Sequence, residues 1–143
     1  MKKIITIIAV FTAFIMTAKA DDRPVTFEQL PAPAQAFITQ NYPGDKVSYA
    51  TVDDDIISPD YTVVLVSGVR IQFEHKGSLE KIESRAGVSE ELIPVQIVDY
   101  VKRTFPDATF QEYEVGRFGY EVKLSNRMEL KFNRKFAVVG LDD

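Results

Sequence analysis

Four aspartates carry the densest concentration of oxygen ligands in the chain. Asp53, Asp54 and Asp55 are consecutive, and Asp60 follows after Ile56-Ile57-Ser58-Pro59. Carboxylates gathered on one loop suit Ca²⁺, which takes roughly six to eight hard oxygen ligands. The EF-hand spacing D-x-[DN]-x-[DN]-G with a later Glu is not present, and two isoleucines interrupt the acids. A solvated turn between strands accounts for the same residues. That turn is the favoured expectation, with Ca²⁺ on Asp53, Asp54, Asp55 and Asp60 as the alternative and the one cofactor considered.

The other reactive side chains are few. His75 is the single histidine and there is no cysteine. No H-x-x-H, H-E-x-x-H or G-x-S-x-G motif occurs, so zinc hydrolysis and His-assisted nucleophilic catalysis have no motif to rest on. His75 reads as a solvated turn residue. Carboxylate-pair hydrolysis needs two acids facing across a cleft in contrasting environments, and nothing in the spacing places such a pair. The expectation is a protein that is not an enzyme.

What must position any binding surface is a repeat. Leu30 to Pro43, LPAPAQAFITQNYP, returns sixty-three residues later as Ile93 to Pro106, IPVQIVDYVKRTFP. Leu30, Ala34, Phe37, Ile38 and Tyr42 superpose on Ile93, Ile97, Tyr100, Val101 and Phe105. Those spacings form one stripe of a 3.6-residue helix. Pro31 and Pro94 suit a helix start, and Pro43 and Pro106 stop it. Thr26-Phe27-Glu28-Gln29 has capping-box form, and Ser89 followed by Glu90-Glu91 is its counterpart.

After each helix the period becomes two, the signature of strands. The first copy predicts strands over 46–52, 61–66, 69–74 and 79–83, and the second over 109–115, 118–125, 128–134 and 137–141. Tyr61-x-Val63-x-Leu65 matches Tyr120-x-Val122-x-Leu124, and Val69-x-Ile71-x-Phe73 matches Met128-x-Leu130-x-Phe132. Asn126-Arg127 replaces Ser67-Gly68, with Asn126 expected to take the left-handed turn position. The fold class is α+β: two tandem α-β4 repeats, each helix followed by a four-stranded antiparallel meander. The repeats are expected to join edge to edge into one eight-stranded sheet, with both helices on one face. The expected organisation is a signal peptide over 1–20, a first repeat over 21–84 opening on a polar leader, and a second over 85–143.

Alternation leaves the other sheet face open to water. Its positions in the second copy are polar, whereas the first copy places Val64 and Val66 there. Exposed apolar residues among charges point to a protein-binding surface. The predicted anchors are Tyr49, Val64, Val66 and Phe110, ringed by Arg70, Lys123 and Lys131. Tyr49 and Phe110 belong there if Ala50, Val52, Tyr113 and Val115 point inward. The competing reading packs these residues under a loop or against the partner repeat.

The helix ending in aromatic-Pro, the Tyr-x-Val-x-Leu strand and the apolar-x-apolar-x-Phe strand, twice over, resemble the PepSY-like family of periplasmic proteins. That family is similar in fold to the β-lactamase inhibitor protein. The resemblance implies a non-catalytic secreted or periplasmic protein that binds or inhibits another protein through its open sheet face. One departure is the absence of Cys, since the inhibitor proteins are disulfide-bonded.

The start of the chain agrees. Lys2 and Lys3 precede an apolar run from Ile4 to Met16, and Ala18-Lys19-Ala20 supplies a small-x-small cleavage pattern. The run is shorter than the roughly 20 residues of a membrane span, so cleavage after Ala20 is expected, without a stable membrane anchor. Taking away Lys2, Lys3 and Lys19 from 17 basic residues leaves 14 against 21 acidic ones. That negative balance argues against nucleic acid as a partner.

Overall fold

The computed structural model describes residues 22–53 and 57–143. The expected signal peptide, Asp54 and Asp55 lie outside the described residues. The elements in chain order are β1 (Asp22–Val25), α1 (Ala32–Asn41), β2 (Val47–Asp53), β3 (Tyr61–Leu65), β4 (Arg70–Phe73) and β5 (Leu79–Glu83). The second copy continues with α2 (Val95–Thr104), β6 (Phe110–Val115), β7 (Gly119–Leu124), β8 (Glu129–Asn133) and β9 (Val138–Asp142). The nine strands form one sheet in sequence order, each antiparallel to the next.

The strand beyond the expected eight is β1. The segment read as a polar leader pairs with β2, Val25 opposite Ala50, and Val25 packs on the core. An uncovered β2 would leave a row of backbone groups unpaired, and β1 covers its Ala50–Asp53 part.

The capping box forms, but not on the helix. Thr26 N–H donates to Gln29 Oε1 at 2.8 Å, closing a single 3₁₀ turn over Phe27–Gln29. Helix α1 starts afterwards, with Pro31 at its N-cap, and α2 starts the same way behind Pro94. Leu30, Ala34 and Ile38 are buried beneath α1; Ile93, Ile97, Val98 and Val101 are buried beneath α2. The extra buried residue, Val98, corresponds to Gln35, whose Nε2 instead donates to the Leu30 carbonyl at 2.8 Å.

Equivalent residues also meet in equivalent geometry. Phe37 packs edge-on against Phe73 with ring centroids 5.7 Å apart. Tyr100 packs edge-on against Phe132 at 5.7 Å. The repeats join where β5 pairs with β6, Ile82 opposite Tyr113. Directly opposed residues share a face, and both are buried. One core therefore runs under both helices, on one side of the sheet.

Four β-bulges interrupt the alternation, and they too are repeated. Ser48 in β2 and Gln111 in β6 are extra residues, as are Glu80 in β5 and Val139 in β9. A bulge places two residues against one and resets which side chains face inward.

Candidate partner-binding face

The bulge at Gln111 corrects the expectation for Phe110. It lies opposite Leu124 and is 2% exposed, in the core. Simple alternation from Tyr113 puts Phe110 on the open face; one extra residue turns it inward. Val47, its counterpart beside the Ser48 bulge, also packs on the core.

The other anchors stand on the open face. Tyr49 is 56% exposed and Val66 68%, while Val64, directly opposite Tyr49, is half-buried. From Tyr49 a single row of opposed residues crosses eight strands: Tyr49, Val64, Arg70, Glu83, Glu112, Lys123, Glu129 and Asp142. The row is apolar at one end and charged for the rest of its length.

Most of that charged stretch is one connected network. Arg70 Nη1 lies 3.3 Å from Glu83 Oε2. Lys81, from the neighbouring row, sits 2.9 Å from Glu83 and 3.0 Å from Glu112. Lys123 lies 3.1 Å from Glu112 and 3.0 Å from Glu129. Glu83 and Glu112 are directly opposed like charges at the junction of the repeats, an arrangement that destabilises a sheet. Lys81 bridges them. Burial works against the Lys81 ammonium, but hydrogen bonds to Glu83 and Glu112 prevail and hold its pKa above the ordinary value. Burial likewise pushes Glu112 up, and its bonds and attraction to Lys81 and Lys123 outweigh that and hold its carboxyl below the usual range. Of the predicted cations, Arg70 and Lys123 are thus part of the network. Lys131 is exposed and lies along Gly140 at the far end of the sheet.

Sequence reasoning did not place Lys81, Glu83 or Glu112 on this face. The signal exists in Glu80-Lys81-Ile82-Glu83, where Ile82 must point inward, but the bulge at Glu80 obscures the alternation.

The acidic end is assembled from several strands. Asp53 N–H donates to the Asp60 carbonyl at 2.8 Å across the base of the loop. Burial raises the pKa of Glu80, and the charges of Asp60, Glu74 and Glu114 raise it further. Among the described residues no group of three or more acids or histidines could hold a metal ion. His75 is exposed in the β4–β5 turn. At the tip of the β6–β7 hairpin Phe118 is 82% exposed, with Arg117 5.6 Å over its ring. An open cleft of about 290 Å³ runs from there to Val139.

The family model described as "Putative beta-lactamase-inhibitor-like, PepSY-like" matches residues 59–139. The chain belongs to the PepSY-like family. Solved structures similar to this PepSY-like protein include three from Bacteroides. A "putative calcium-regulated periplasmic protein" from Bacteroides thetaiotaomicron is 37% identical, with a TM-score of 0.82 over 86% of this chain and 98% of its own. A "putative periplasmic protein" of the DUF2874 family from Bacteroides vulgatus is 34% identical, with a TM-score of 0.82 over 88% of this chain and 100% of its own. A further "putative periplasmic protein of unknown function" from Bacteroides vulgatus is 27% identical, with a TM-score of 0.80 over 85% and 99%. No curated protein is significantly similar.

Proposed function

We propose that this PepSY-like protein is a non-enzymatic periplasmic binding module that recognises a protein partner through the open face of its sheet. The supporting observation is the cluster of Tyr49, Val64 and Val66 on the open face, bordered by the ion-paired residues of the same row. A surface already ordered by paired charges loses little side-chain entropy on docking. Tyr49 and Val66 are exposed enough to be desolvated by a partner, and Arg70 stands beside Val64 at the polar rim. The chain reaches the periplasm by the signal sequence cleaved after Ala20, in keeping with the names its relatives carry.

The test is capture from periplasmic extract by the wild-type protein and by a Tyr49→Arg, Val66→Asp double variant. Both positions are exposed, so circular dichroism and melting temperature should be unchanged. A protein held by the wild type and released by the variant supports the reading. No capture, or capture indifferent to the two substitutions, overturns it.

A second reading rests on the acids at residues 53–60 and on the calcium-regulated name of the 37%-identical relative. Beside that loop burial and the charges of Asp60, Glu74 and Glu114 raise the pKa of Glu80, with Lys81 opposing them, and a divalent cation on the loop adds positive charge to that group. Millimolar Ca²⁺ then raises the melting temperature, and Asp54→Asn with Asp55→Asn abolishes the rise. An unchanged melting temperature dismisses this reading.

A further inference from the structure

The two edges of the sheet differ. On β1 the edge is four residues carrying Asp22, Arg23 and Pro24, features that discourage further pairing. On β9 the edge is Val138-Val139-Gly140-Leu141-Asp142, with Val139 65% and Leu141 51% exposed. The repeat shows what such an edge can do. Strand β5 is the equivalent of β9, and it carries the equivalent bulge. Past that bulge, Lys81, Ile82 and Glu83 pair with β6. Their counterparts Gly140, Leu141 and Asp142 have a strand on one side only.

Charge on the open face is also unfinished there. Glu129 and Asp142 are directly opposed carboxylates, like Glu83 and Glu112, yet of these two Lys123 pairs with Glu129 and not with Asp142. Lys131 makes no ion pair among the described residues. Its stem lies across Gly140, 3.4 Å from where a Cβ would stand, so the ammonium can reach past the strand.

We infer that β9 pairs with β9 of a second copy of this chain, antiparallel about a two-fold axis at Leu141. In that register Leu141 faces Leu141 of the second copy on the core side. Asp142 of each copy falls opposite Gly140 of the other, where Lys131 meets it. Each cation bridges a carboxylate across the junction, as Lys81 does between the repeats. The same patch serves both copies, so the association closes as a dimer. The paired segment is short, which makes the dimer weak and concentration-dependent.

Sedimentation of the exported protein from low to high micromolar concentration tests this. The expected result is a monomer–dimer equilibrium. Lys131→Glu weakens it at least about tenfold through opposed carboxylates, and Lys131→Glu with Asp142→Lys restores it. Because the chain has no Cys, Leu141→Cys alone should be joined by a short bismaleimide, whereas Asp22→Cys on the opposite edge should not. All four positions are partly or fully exposed, and circular dichroism checks each fold. Three results overturn the inference: a monomer at every concentration, which leaves the edge to an extended segment of another protein; a dimer indifferent to Lys131→Glu; or a dimer not restored by the swap.

Discussion

Arg127 shows the repeat at the scale of one residue. It occupies the turn position of Gly68 and has φ 74° where Gly68 has φ 98°. The left-handed conformation thus falls on Arg127 and not on Asn126, whose Oδ1 accepts from Met128 N–H at 3.0 Å. A side chain with a Cβ costs about 1 kcal/mol or more there. Arg127→Gly should therefore raise stability by about 0.5–1 kcal/mol, seen as a melting temperature higher by roughly 2–6 °C. Gly119 carries the opposite constraint. A Cβ on it would stand 1.9 Å from the backbone oxygen of Phe132, and a strand cannot yield that far without breaking its ladder. Gly119→Ala should cost about 3 kcal/mol, read as a lower urea midpoint.

At the scale of elements the junction of β5 and β6 is the informative place. Ile82 and Tyr113 make it continuous on the core side, and burial together with Tyr120 pushes the Tyr113 phenol up to about 12. On the open side Glu83 and Glu112 oppose each other, and Lys81 bridges them. Lys81→Met keeps the bulk of the stem and removes the charge. It should cost about 1 kcal/mol, and molar salt should narrow the difference from wild type by screening the exposed carboxylates. Adding Glu83→Gln to Lys81→Met should recover most of the loss, because no directly opposed like-charged pair then remains between β5 and β6. A loss insensitive to both salt and Glu83→Gln would mean that Lys81 acts through packing.

For the whole molecule, Glu112 and Glu80 give opposite pH signatures. Glu112 has a folded pKa below its ordinary 4.5. Its stabilisation is complete above that value and is lost as pH falls through the lower folded value. Glu80 has a folded pKa above 4.5, so it destabilises at neutral pH, and the cost fades as pH falls toward 4.5. Glu112→Gln should lower the melting temperature at pH 7 and match wild type in strong acid. Glu80→Gln should raise it at pH 7 and match wild type below about 4.5. Melting curves from pH 7 to pH 3 on the three proteins read both effects. Equal displacement of a variant at every pH would assign that change to packing.

Helix stripes, strand positions and the tandem repeat were legible because each is a local period. An apolar residue every three or four positions, or every second one, has few ways to be buried. Proline and the small turn residues then mark where each element stops. Four features were decided only by tertiary structure. Strand β1 exists because β2 has an edge to be covered, a need that nothing in Asp22-Arg23-Pro24-Val25 announces. Phe110 faces the core because a bulge at Gln111 resets the alternation, and a bulge leaves no composition signal. Arg127 rather than Asn126 takes the left-handed turn position because the register of β7 with β8 sets the turn geometry. The network from Arg70 to Glu129 requires five strands in one register, with residues separated by up to 59 positions along the chain. Local pattern determines what each segment can be, and long-range pairing determines which side chains come to stand together.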